Sequence, residues 1–196
     1  MELNGRVALV TGAGVRLGRA IALALAHEGA HVAVHYHRSR GPAEEAVAMI
    51  RAMGRRAIAV QLDLSQTEQL DALVGRVVEA LGSLDLLVNS ASIFERGTVF
   101  SETSASWDRH MGINVKAPFF LIQAFARRLK PGQRGHVINI ADWRALRPGT
   151  QYMAYTVSKA GLVALTKSLA LALAPQVQVN AIAPGGILPP TDPAGA

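Results

Sequence analysis

Val7-Ala8-Leu9-Val10-Thr11-Gly12-Ala13-Gly14-Val15-Arg16-Leu17-Gly18 decides the fold of this chain. Four consecutive apolar residues make a short strand buried on both faces. The glycines behind it stand where a backbone must turn tightly. From Leu17 to His27 the apolar residues then recur at helical spacing. A strand, a glycine-bearing turn and a helix in that order aim the free N–H groups of the helix start at one point, and such a point favours an anion such as a pyrophosphate. The turn does not carry the spacing G-x-G-x-x-G, and a glycine-rich turn alone is often only a turn. Its place directly after the first strand gives it weight.

The same alternation continues outward. Short apolar runs predict strands at residues 7–11, 31–35, 56–61, 84–89, 136–141 and 178–183, and amphipathic stretches predict helices at 17–27, 43–53, 67–81, 104–129 and 151–173. In the third helix Leu70, Leu73, Val74, Val77, Val78 and Leu81 form one apolar stripe at three- and four-residue steps, which reads as core. Strands and helices in series, joined by right-handed crossovers, give an α/β fold: a doubly wound parallel sheet of Rossmann type with helices on both faces. Its ligand site belongs at the carboxyl ends of the strands. With no internal linker or low-complexity tract, residues 1–196 read as a single domain.

Composition narrows the function classes. Half of the residues are hydrophobic and only 5% aromatic, as expected where small side chains let helices lie close on a parallel sheet. The net charge of +6 is spread along the chain in pairs such as Arg55-Arg56 and Arg127-Arg128, which reads as solvated helix faces, not a nucleic-acid stripe. There is no cysteine, and the polar start Met1-Glu2-Leu3-Asn4-Gly5-Arg6 leads directly into the first strand. A cytoplasmic protein that neither spans a membrane nor carries disulfides is expected. His31, His35 and His37 share a parity without further ligands nearby, so strand-face packing or cofactor contact is expected of them, and no metal.

The second strand ends in Val34-His35-Tyr36-His37-Arg38-Ser39, where an acid would be needed to bind the ribose 2′-hydroxyl of NAD. None is present. Arg38 and Ser39 instead suit a 2′-phosphate, with Arg16 a second cation, so NADPH/NADP is the expected cofactor. The alternative for Arg38 is an exposed loop charge. Asp63, at the end of the third strand, meets the adenine edge or caps the next helix.

Tyr155-Thr156-Val157-Ser158-Lys159 places a phenol and an ammonium four residues apart on one helix face. A phenol titrates near 10 and a neighbouring cation favours its ionised form, so the pair reads as a general acid tuned toward neutral pH. Alone, such a pair occurs by chance in many helices and reads first as a surface contact.

In company with the turn, the pair resembles the short-chain dehydrogenase/reductase family over the whole chain. Thr11-Gly12 through Gly18 resembles the family's first turn, and Asn89-Ser90-Ala91-Ser92 resembles its Asn-Asn-Ala-Gly segment. Asn114-Val115-Lys116 resembles the helix bearing its catalytic Asn, and Pro184-Gly185 the turn beside the nicotinamide. The resemblance implies catalytic roles for Asn114, Tyr155 and Lys159, Lys159 also holding the nicotinamide ribose and Asn114 supporting a proton-relay water. It implies cofactor contacts from Gly12, Arg16, Leu17 and Gly18, from His37, Arg38, Ser39, Asp63 and Leu64, from Asn89, Ser90 and Ala91, from Tyr155 and Lys159, and from Pro184 and Gly185. Family members continue through a substrate loop, a helix and a seventh strand, which the sequence given is expected to lack.

Three departures narrow the resemblance. Arg16 stands at a usual Gly, Asp142 at the usual catalytic Ser thirteen residues before Tyr155, and Asn-Ser-Ala-Ser replaces Asn-Asn-Ala-Gly. Together with His-Tyr-His-Arg-Ser they resemble the pteridine reductase branch, including the dihydromonapterin reductases. That implies a pterin or folate substrate stacked on Phe94, with Ser92 bonding the ligand or a cofactor phosphate; the alternative for Phe94 is a buried strand-end aromatic. An Asp142 beside Tyr155 suits protonation of a ring nitrogen, by orienting the phenol and resupplying its proton, or by donating where burial keeps it protonated. An ionised Asp142 would repel a developing alkoxide. The rival expectations are a general NADPH carbonyl reductase of 3-oxoacyl type and a non-catalytic dinucleotide sensor. Helices 104–129 and 151–173 are apolar on more than one face, and the family implies a homotetramer or homodimer through them.

Overall fold

Three parallel strands run outward in one direction from the first, β1 (Val7–Val10), β2 (His31–Tyr36) and β3 (Ala57–Gln61), and three more in the other, β4 (Leu86–Asn89), β5 (Gly135–Ile140) and β6 (Val177–Ile182). The order β3-β2-β1-β4-β5-β6 reverses between β1 and β4, which pair in parallel with Leu9 opposite Leu87. At such a reversal the connections leave to opposite faces and open a crevice beyond the carboxyl ends of the strands. The doubly wound Rossmann-type sheet expected from the sequence is therefore present. The computed structural model describes residues 2–187; the segment after Ile187 expected to lack the family's last elements lies outside the described residues.

Both faces of the sheet are covered, which is why β1 and β4 are buried without alternation. On one side α1 (Arg16–His27) and α2 (Arg40–Ala52) bring Ala22, Ala26, Ala46 and Ile50 onto Ala8, Val10, Val32 and Val34. On the other, α3 (Leu70–Leu81) lays the predicted stripe against Leu9, Leu87 and Val137. Phe125 is fully buried there, and a Cβ on Gly135 would stand 2.6 Å from its ring, so the glycine makes room for the aromatic.

Strand ends fall within two residues of the expected ones. The helix expected at 104–129 is instead α4 (Ser104–Met111), a π-helical turn (Gly112–Lys116) and α5 (Ala117–Arg127). Pro118 offers no N–H to the carbonyl of Asn114 and its ring crowds that carbonyl, so the helix widens just before it. The last helix, α6 (Met153–Leu173), begins two residues later than expected because Tyr152 is left-handed, at φ 60° and ψ 45°. It is long and apolar enough to cross a membrane, but packs against β6 and β5 of the sheet core and carries Tyr155 and Lys159 on its buried face.

Candidate active site

The carboxyl ends of the strands are tied to one another by side chains whose part the sequence did not reveal. Thr11 Oγ1 accepts from the amides of Ser90 and Ala91, both at 3.0 Å, which fastens the end of β4 to the turn after β1. His35 is buried; its Nδ1 accepts from the Gly12 amide at 3.1 Å and its Nε2 donates to the Leu62 carbonyl at 3.0 Å. Burial pushes its pKa down to about 4, so the ring is neutral and bridges three strand ends. Of the three histidines sharing a parity, His35 is packing, His31 accepts from the Arg56 amide, and only His37 reaches a cavity wall without burial.

Gly12 has φ +65°, and a Cβ there would lie 2.9 Å from Ala91 Cα; one on Gly14 would lie 2.7 Å from Ser39 Oγ. Side chains are thus excluded where a pyrophosphate needs the bare backbone. The cradle opens into a cavity of about 830 Å3. Its walls include Gly12, Arg16, Leu17 and Gly18, His37, Asp63 and Leu64, Ser90 and Ala91, and Pro184 and Gly185. Arg38 and Ser39 line an adjoining cavity that shares His37 and Asp63. Asp63 accepts from the Ser65 amide and lies 3.6 Å from His37 Nε2; the Ser65 bonds outweigh partial burial and hold its carboxyl below the usual range. Asn89 does not reach the cavity wall: it is buried and donates to Asn139 Oδ1 at 2.8 Å, and Asn139 donates onward to Thr166.

At the other end of the same cavity, Tyr155 donates its hydroxyl proton to Asp142 Oδ2 at 2.8 Å. Lys159, 3% exposed, donates to the Ile140 carbonyl at 2.7 Å, and its Nζ stands 5.7 Å from the Tyr155 ring centre. This corrects the expected electrostatics. Burial first, then the hydrogen bond and charge of Asp142, push the Tyr155 phenol well above its usual range, so the adjacent ammonium does not acidify it. Burial in turn brings the Lys159 ammonium down to about 8. Tyr155 is a neutral donor aimed at the Asp142 side chain.

The neighbours expected to touch substrate are partly engaged with one another. Asn114 accepts from Ser92 Oγ and the Ile93 amide, and donates to the Ile93 carbonyl and to Ser158 Oγ at 2.9 Å. All four bonds of its side-chain amide are used, so the expected support of a relay water does not come from that amide. Ser92 Oγ is turned to Asn114 and the Ile93 carbonyl. Phe94 is half exposed, stacked on Tyr152 with centroids 4.2 Å apart and edge-on to Tyr155 at 4.6 Å; it is not the buried aromatic of the alternative reading. Tyr152 and Arg144, which no sequence motif marked, complete this wall.

A switch-point cavity with a glycine cradle at one end and a Tyr, Lys and Asp at the other defines an NAD(P)-dependent oxidoreductase of Rossmann type. The chain belongs to the short chain dehydrogenase family, whose pattern matches residues 6–194. It is 35% identical over 188 residues to the L-rhamnose 1-dehydrogenase (NAD(P)(+)) of a Sphingomonas species, covering 95% of this chain and 74% of that one. Identity to the 3-oxoacyl-[acyl-carrier-protein] reductase FabG of Staphylococcus aureus is 37% over 182 residues, covering 92% and 74%. Among solved structures, FolM Alternative dihydrofolate reductase 1 from Brucella canis, complexed with NADP, superposes with a TM-score of 0.92 at 39% identity, covering 97% of this chain and 77% of that one.

Proposed function

We propose that the chain is an NADPH-dependent reductase of a pteridine C=N bond, its substrate a dihydropterin or dihydrofolate. The observation that carries this reading is the 2.8 Å bond from Tyr155 to Asp142. A carbonyl oxygen carries negative charge as hydride arrives, and a carboxylate 2.8 Å from the proton donor opposes it; a ring nitrogen is basic enough to take its proton in step with the hydride, so that less charge builds there. The likeness to an alternative dihydrofolate reductase points the same way.

The residues present fit the cofactor, since the turn is stripped of side chains where a pyrophosphate would approach. Gly12, Arg16, Leu17 and Gly18 would hold that pyrophosphate, Arg38 and Ser39 the 2′-phosphate, His37, Asp63 and Leu64 the adenosine end, and Ser90, Ala91, Pro184, Gly185 and Lys159 the nicotinamide end. NADPH, when bound, supplies the hydride. Phe94 offers the planar substrate a face. Tyr155 turns its proton from Asp142 to the substrate nitrogen as hydride reaches carbon, and Asp142, whose side chain is 16% exposed, passes a replacement proton in from water. Asn114 acts by fixing the Ile93 backbone between Ser92 and Phe94, and Asn89 by tying the end of β4 to β5.

The reading includes a cytoplasmic homotetramer or homodimer, supported by the apolar residues that α6 leaves exposed, Leu171 at 84% and Val157 at 42%. A monomeric mass in solution would refute that part. The substrate is tested by following NADPH consumption with a 7,8-dihydropterin, dihydrofolate, an acetoacetyl thioester and a simple sugar. Turnover of the pteridines ahead of the others is expected; turnover of the thioester with none of a pteridine would establish a 3-oxoacyl reductase, which the likeness to the Staphylococcus aureus reductase favours.

A further inference from the structure

Asp142 opens a single 3-10 turn, Trp143–Ala145, that folds Arg144 back onto it. The Arg144 amide donates to Asp142 Oδ1 at 2.8 Å, and its guanidinium Nη1 stands 3.7 Å from the same oxygen. Ring faces hold the guanidinium in place: its Cζ lies 5.0 Å from the Trp143 ring centre and 5.4 Å from each of Phe94 and Tyr152. A guanidinium kept beside three aromatic faces keeps its charge while losing freedom to leave. Only the other carboxylate oxygen, Oδ2, meets the phenol.

We infer that Arg144 is a positioning residue, its amide and guanidinium together fixing Oδ1 so that Oδ2 stays aimed at the Tyr155 hydroxyl. The inference rests on the proposed reading that Tyr155 and Asp142 handle the proton. Both Asp142 oxygens thus face donors, as a carboxylate's do: the Arg144 amide on Oδ1, with the guanidinium 3.7 Å from it, and the phenol on Oδ2. The charged groups facing Asp142 are Arg144 from its own turn and Lys159 from α6, with Tyr155 as the neutral donor; Arg16, His35, His37 and Asp63 line the remainder of the cavity.

The test compares Arg144→Gln and Arg144→Lys in the full chain, with and without NADP. The side-chain carboxyl of Asp142 is titrated by carbon NMR, and the pH profile of turnover is recorded with NADPH and a 7,8-dihydropterin. With Arg144→Gln the Asp142 midpoint is expected above the parent's, as loss of a nearby opposite charge requires. The acid limb of the turnover profile moves with it. Arg144→Lys keeps both near the parent values. An Asp142 midpoint unmoved by Arg144→Gln, or moved equally by Arg144→Lys, would overturn the inference. Parent protein that turns over no pteridine would sink the functional reading instead, and the carboxyl titration would still decide the role of Arg144.

Discussion

Lys159→Met removes an ammonium while keeping an unbranched apolar stem, and its effect on stability reverses sign with pH. The ammonium is 3% exposed, and burial brings it from 10.5 down to about 8. At ~1.4 kcal/mol per pH unit, keeping it charged in the folded chain costs on the order of 3 kcal/mol. Because the folded value lies below the unfolded one, between about 8 and 10.5 the unfolded chain holds a proton that the folded chain has shed, and stability of the parent climbs with pH across that window. The variant lacks that climb. It also leaves the Ile140 carbonyl without its 2.7 Å donor, at a cost of about 1–3 kcal/mol. At pH 7 Lys159→Met is therefore expected to equal the parent or exceed it by up to about 2 kcal/mol. Above pH 10.5 it falls below the parent by the cost of the orphaned carbonyl. Urea unfolding of both proteins at pH 7, 9 and 10.5 reads the difference, in which all other titrations cancel. A stability difference constant across that range would refute the burial of a charged Lys159, and activity in the variant would refute its place in the site.

Three further outcomes follow from named contacts. Tyr155→Phe removes the proton donor but no group facing a phosphate, so turnover is expected to fall by about 10²–10⁴ while NADPH affinity, read by fluorescence titration, holds. Arg38→Ala should weaken NADPH about tenfold or more and leave NADH unchanged, as loss of a charge-assisted bond to the 2′-phosphate requires; equal effects on both cofactors would reduce Arg38 to a surface charge. Gly12→Ala forces a Cβ to 2.9 Å from Ala91 at φ +65°, so a lower melting temperature and a smaller rise on adding NADPH are expected by calorimetry.

The sequence carried those features that depend on order and period. β1, its glycine turn and α1 could be read because a buried strand, a tight turn and a helix each leave a local pattern, and the apolar stripe of α3 because burial on one face imposes a 3.6-residue period. Tyr155 and Lys159 were placed together by helix geometry alone. What the pattern could not supply was the direction of their electrostatics. That depends on Lys159 finding a backbone carbonyl on β5, an atom every residue has, and on Asp142 reaching Tyr155 from a different element. The same holds for His35, whose neighbours come from the ends of β1 and β3, and for the aromatic setting of Arg144, assembled from segments some fifty residues apart in the chain. The π turn before Pro118 was hidden because the apolar spacing runs through it unbroken.

Whether Tyr155 is a neutral donor or an acidified one can be measured without a substrate. The tyrosinate absorbance of the parent and of Tyr155→Phe is followed from neutral pH upward, and the difference isolates one phenol among the three tyrosines. A phenol held by burial and by Asp142 above its ordinary value of 10.0 leaves the two curves superimposed up to that pH. A component present only in the parent and titrating below 10.0 would mean that Lys159, not Asp142, governs the hydroxyl, and the proposed proton chemistry would be wrong.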